Sequence, residues 1–169
     1  MWVRLPPRAP PNLMSDTPPH RTRYSPWEER TYEIPDEAIP PSPKRVLILE
    51  DDPGVTRLLA GALQEQGYHV TAVANGADGL RQVMAADFDA VVCDMVIPSL
   101  AGDMFYLAVE RTRPHLCPRF IFMTGHKADR RWAEFARSKG CLLLFKPFEI
   151  HVFLETVRLV ANKSEAKPS

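Results

Sequence analysis

From Lys44 onward, short apolar runs of four to six residues alternate with amphipathic stretches of 10 to 15. Runs of that length suit buried strands, and the longer stretches carry the spacing of a helix with one apolar face. Strands are predicted at Arg45–Leu49, Val70–Val73, Ala90–Cys93, Phe120–Met123 and Leu142–Phe145. Between them, Val55, Leu58, Leu59, Ala62 and Leu63 mark one helical stripe that ends at Gly67 as a C-cap. Leu80, Val83 and Met84 mark a second helix, and Met104 to Val109 a third that stops before Pro114. Trp132, Phe135 and Ala136 mark a fourth; Ile150, Phe153, Leu154, Val157 and Val160 mark the last. Five strands alternating with five helices predict an α/β domain whose mostly parallel sheet is covered on both faces, because parallel neighbours need right-handed crossover connections. Ligands of such sheets bind beyond the carboxyl ends of the strands.

The pattern vanishes before Lys44. Residues 1–43 hold 11 of the 17 prolines, with Pro-Pro pairs at 6, 10, 18 and 40. Proline removes backbone donors and fixes φ, so an extended, disordered arm is expected, followed by the domain at 44–162 and a tail at 163–169. Within the arm, "YSPWEERTYEI" at Tyr24 to Ile34 interleaves aromatics with acids; a docking element and an inert leader are both compatible with it.

Composition narrows the function. A 45% hydrophobic share is enough for a real core, and 21 basic against 21 acidic residues leave no global field to hold nucleic acid or an anionic membrane. Cys93, Cys117 and Cys141 are odd in number and form no CxxC pair, which fits free thiols rather than a disulfide framework or a zinc site. The opening "MWVRLPPRAPP" has no apolar run fit for a signal peptide, and no later run approaches a membrane span. A cytoplasmic protein is expected.

Candidate chemistry sits where the strands end. Glu50, Asp51 and Asp52 follow strand one, Asp94 strand three, Thr124 strand four, and Lys146 and Pro147 strand five. With strands one and three adjacent, carboxylates would share a pocket, and a pair about 4 Å apart repels by about 4 kcal/mol at an effective dielectric near 20. Either a cation joins them or one takes up a proton. A hard divalent cation with oxygen ligands suits the donors, and Mg²⁺ suits a site that also takes a phosphate oxygen. Asp52 precedes Pro53, the usual order of an N-cap and first helical residue, so capping is its expected job. No GxGxxG or GxxxxGK[ST] follows strand one, which argues against dinucleotide and P-loop sites.

"LILEDDPGVTRLL", "VVCDMVIPSLAG", "FIFMTGH" and "LFKPF", in that order, resemble the receiver domain of two-component response regulators across residues 44 to about 162. The resemblance implies a flavodoxin-like (βα)5 doubly wound sheet of strand order 2-1-3-4-5. It further implies that Asp94 accepts a phosphoryl group from a phosphohistidine of a sensor histidine kinase or histidine phosphotransfer protein. Asp51, Asp94 and the backbone carbonyl of Val96 would hold Mg²⁺ directly and Glu50 largely through water, with Thr124 and Lys146 meeting phosphoryl oxygens. A cis Lys146–Pro147 bond is expected on the same ground. Such a protein catalyses only its own phosphorylation and dephosphorylation and is not otherwise an enzyme.

The chain departs from the family at Leu143, where an aromatic is common, with Phe145 on the same strand face as a possible substitute. Val96 and His126 stand where the path of hydrolytic water is flanked in this family; an apolar Val96 implies slow loss of phosphate, which a water oriented by His126 would reverse. Only "KSEAKPS" follows Asn162, so output through a downstream protein is expected rather than direct DNA binding. The alternatives are a phosphorylation-independent adaptor of the same fold and an aspartyl phosphatase of the haloacid dehalogenase type. The latter wants a second acid where Val96 stands.

Overall fold

The computed structural model describes residues 42–163. Nearly all of the expected arm, with Tyr24 to Ile34, and the tail from 164 lie outside the described residues. The elements alternate as the sequence pattern predicts: β1 (Arg45–Leu49), α1 (Pro53–Glu65), β2 (His69–Val73), α2 (Gly76–Ala85), β3 (Ala90–Asp94), α3 (Gly102–Thr112), β4 (Phe120–Thr124), α4 (Arg130–Ser138), β5 (Leu142–Phe145) and α5 (Ile150–Asn162). A 3-10 turn, Pro114–Arg119, links α3 to β4. The strands form one parallel sheet in the order β2-β1-β3-β4-β5, the flavodoxin-like doubly wound arrangement.

Strand alternation divides the core into two layers, since neighbouring side chains point to opposite faces. Leu47, Leu49, Val91, Cys93, Phe120 and Phe122 meet Val83 of α2, Phe105 and Val109 of α3 and Trp132 of α4. On the other face Val46, Ile48, Val92, Ile121 and Met123 meet Leu59 and Leu63 of α1 and Phe153 and Val157 of α5. Each fully buried side chain of this size contributes about 1.5–3 kcal/mol relative to exposure, so both layers clamp the central strands β1, β3 and β4.

Three expectations are corrected in detail, the first being that β2 opens one residue before its apolar run, at His69, which pairs with Arg45. β3 and β4 each run one residue further than the apolar runs, because the ladder continues through Asp94↔Met123 and Thr124↔Phe145; Asp94 and Thr124 are therefore the last residues of their strands. Leu58, Met84 and Met104, read as core-facing, are 62%, 52% and 53% exposed. They lie on the borders of their helical stripes, where one step of about 100° carries a side chain off the sheet.

Helix starts place the loops at the upper edge. Asp52 caps α1, its Oδ1 accepting from Gly54 N at 2.7 Å and Val55 N at 2.9 Å, with Pro53 opening the helix. α1 ends before Gly67, whose φ of 83° is the left-handed turn for which glycine is suited.

Candidate active site

Three hydrophilic side chains are buried among the described residues, and all belong to the carboxyl edge of the central strands: Glu50 (3% exposed), Asp94 (7%) and Thr124 (0%). Each stands at the end of a strand whose apolar side chains are all buried, so the central core presents them. Glu50 extends β1 through Glu50 N to Val73 O at 3.1 Å. Thr56 on α1 donates its hydroxyl to Glu50 O at 3.1 Å, tying that turn down. Asp94 Oδ1 accepts from Val96 N at 2.9 Å, and His126 N donates to Thr124 Oγ1 at 3.1 Å.

Lys146 reaches in from the far side. Its backbone N bonds Thr124 O at 2.8 Å, the Lys146–Pro147 bond is cis as expected, and Nζ lies 2.5 Å from both Glu50 Oε2 and Asp94 Oδ2. Burial raises the Glu50 carboxyl above its usual range despite the opposing pull of Lys146. Burial alone would lower the Lys146 ammonium, but its bonds to Asp94 and Glu50 outweigh that and raise it. The ammonium thus neutralises part of an otherwise repulsive pair.

Glu50, Asp51 and Asp94 each offer a carboxylate oxygen within 4.8 Å of the others, Asp51 from an exposed position. Three hard oxygen donors so close, with net negative charge even after Lys146 is counted, could hold a metal ion. Asp52 stands apart: its carboxyl faces the start of α1, and the N–H groups of Val55 and Gly54 hold it below the usual range. The Val96 side chain is 49% exposed.

Residues 46–158 match the model of the response regulator receiver domain. The chain belongs to the response regulator receiver family. The transcriptional regulatory protein TcrA of Mycobacterium tuberculosis is 45% identical over 119 residues, which cover 70% of this chain and 46% of that protein. This chain thus spans about half the length of that curated relative. The receiver protein CpdR of Brucella abortus is 31% identical over 107 residues, covering 63% of this chain and 88% of that one. Among solved structures, a CheY-like receiver domain of Methanospirillum hungatei superposes with a TM-score of 0.67 at 25% identity, covering 73% of this chain and 98% of that one. No helix among the described residues is long and apolar enough to cross a membrane.

Within this receiver, Leu143 packs inward against the cluster of Phe122, Trp132 and Ala136, whereas Phe145 is 37% exposed at the end of β5. Two supporting residues escaped the sequence reading. Thr56 lies inside the first motif, but nothing in its sequence position signals the bond to Glu50 O. A Cβ on Gly102 would lie 2.6 Å from Asp94 O, so only glycine lets α3 start against the backbone of Asp94; the small residue at the end of "VVCDMVIPSLAG" is the signal that could have found it.

Proposed function

We propose that this receiver takes a phosphoryl group from a phosphohistidine of a sensor histidine kinase or histidine phosphotransfer protein onto Asp94. The observation that carries the reading is the convergence of the Glu50, Asp51 and Asp94 oxygens within 4.8 Å beside the Lys146 ammonium. Asp94 Oδ2, once Lys146 turns away from it, attacks phosphorus, the P–N bond breaks, and the departing imidazole nitrogen takes up a proton. Glu50, Asp51, Asp94 and the Val96 carbonyl would hold Mg²⁺, which supplies charge neutralisation when bound. Lys146 would pair with one phosphoryl oxygen, and the Thr124 hydroxyl would donate to another.

Phosphorylation would then shift a pre-existing equilibrium at the face made by α4, β5 and α5, switching a partner-binding surface, or the group would pass onward in a relay. The balance of 21 basic and 21 acidic residues supports output to a protein rather than direct contact with DNA. In this reading the protein works in the cytoplasm and catalyses only its own phosphorylation and dephosphorylation.

Intact-mass labelling of the full chain by a small phosphodonor tests the proposal. Addition of one phosphoryl group that requires Mg²⁺ and is lost in Asp94→Asn is expected. Absence of labelling under every condition would overturn it in favour of a phosphorylation-independent adaptor.

A further inference from the structure

One buried side-chain nitrogen among the described residues has no hydrogen-bond partner: Nε1 of Trp132, in the first turn of α4, on a residue 7% exposed. Burying a donor unpaired is costly, so the conformation that leaves it so is held by other contacts, and a conformation that pairs it has an advantage in reserve. Those other contacts are visible. Trp132 belongs to one buried cluster with Met95 and Ile97, which follow Asp94, and with Phe122 of β4, and Leu143 of β5 packs against that cluster.

A contiguous set of interactions joins this indole to the pocket. Thr124 Oγ1 accepts from His126 N at 3.1 Å, and His126 O accepts from Asp129 N at 3.1 Å. Asp129 caps α4 through Arg131 N at 3.2 Å and pairs with Arg131 Nε at 2.7 Å. The Arg131 guanidinium then stacks over the Trp132 ring, 4.3 Å from its centroid. Any rearrangement that draws the Thr124 hydroxyl toward an occupant of the acidic pocket disturbs the first of these bonds, and the rest connect that bond to α4.

We propose that Trp132 is the positioning residue through which α4 registers the state of the acidic pocket: its indole N–H, unpaired here, gains an acceptor when the loop 125–129 re-seats around an occupied pocket. The inference rests on the phosphoacceptor reading above. In this scheme the free and occupied conformations differ in one hydrogen bond at Trp132, and that difference biases the equilibrium between them.

The full-length chain labelled with ¹⁵N-tryptophan gives indole signals from Trp2, Trp27 and Trp132, and the signal missing from Trp132→Phe is that of Trp132. On titration with Mg²⁺ and beryllofluoride, a mimic of the aspartyl phosphoryl group, the Trp132 indole proton is expected to move downfield and exchange more slowly with water. Trp132→Phe keeps the aromatic packing but lacks the N–H, so beryllofluoride should bind about fivefold or more weakly. An unmoved indole signal, or an unchanged affinity in Trp132→Phe, in protein whose Asp94 is labelled by a phosphodonor, overturns this inference alone. Failure of both Asp94 labelling and beryllofluoride binding overturns the phosphoacceptor reading with it. If Trp132→Phe does not fold, the indole signal of the unaltered chain decides.

Discussion

Replacing Lys146 by methionine removes the ammonium from between Glu50 and Asp94 while keeping a flexible apolar side chain in its place. Nζ lies 2.5 Å from an oxygen of each acid, and the carboxylate oxygens of the acidic group lie within 4.8 Å of one another. Without the cation, two ionised carboxylates no further apart than that repel by at least about 3.5 kcal/mol at an effective dielectric near 20. The protein has an escape, which is to protonate one of them. From the ordinary Glu50 value of 4.5, holding that proton at pH 7 costs about 3.4 kcal/mol. The two routes cost nearly the same, so Lys146→Met should lose about 3 kcal/mol at pH 7 in the absence of divalent cations. This agrees with the roughly 3–5 kcal/mol for stripping one partner from a buried ion pair.

The pH dependence distinguishes this account from simple loss of packing. In Lys146→Met the folded state binds a proton that the unfolded state releases, so stability falls as pH rises above the unfolded value of 4.5. At pH 5 the protonation route costs only about 0.7 kcal/mol, and the deficit should shrink accordingly. Urea denaturation at both pH values measures it, and a Mg²⁺ titration adds a second arm: a cation bound by the folded state alone should stabilise the variant more than the unaltered chain. A deficit that is the same at pH 5 and pH 7, or one that Mg²⁺ leaves untouched, would refute the reasoning.

Asp51→Ala should abolish Mg²⁺-dependent labelling, whereas Asp52→Ala should lower the denaturation midpoint by removing the cap on Gly54 N and Val55 N and leave labelling intact; equal loss of labelling in both would sink that division. Glu50→Gln, compared with the unaltered chain in urea without divalent cations, should gain relative stability as pH rises from 4.5, because a raised folded-state pKa gives stability that is present below the unfolded value and lost above the folded one; a flat difference would contradict it. Phosphorylated protein should lose its phosphoryl group slowly and Val96→Asn should hasten the loss, because an apolar side chain at that half-exposed position orients no water; loss within seconds from the unaltered chain counts against this.

Much of the fold could be read from local pattern because both of its periodicities are local. The bounds of β1 and β5 follow directly from their apolar runs, and Asp52 before Pro53 marked the start of α1. The misses arise where a backbone requirement and a side-chain pattern part company. Asp94 and Thr124 look like breaks in hydrophobicity, yet their backbones still complete the ladder to Met123 and Phe145. Leu58 looks like core, yet a helical stripe does not announce its own border. The grouping of Glu50, Asp51 and Asp94 followed from strand adjacency, but the two bonds of Lys146 span 96 and 52 residues and depend on a side-chain path that no local pattern encodes. Gly102 and the unpaired indole of Trp132 are likewise products of packing.

Fold and site are opposed at one edge of the sheet, and the opposition has a physical use. The central strands bury every apolar side chain they carry between β1 and β4, then end in the three hydrophilic side chains that are buried among the described residues. A solvated acidic cluster would be cheaper to keep but would attract a cation and a phosphoryl group only weakly, because water screens it. Held at the rim of a rigid core, the same charges repel strongly enough that whatever neutralises them binds with energy drawn from relief of that repulsion. Lys146 supplies the relief in the free protein, bonded to Glu50 and Asp94 at once. For the ammonium to turn toward a phosphoryl oxygen, another positive charge must take over its place beside the acids. The Lys146→Met titration with Mg²⁺ therefore examines the exchange on which the proposed chemistry depends, using stability rather than phosphorylation as the readout.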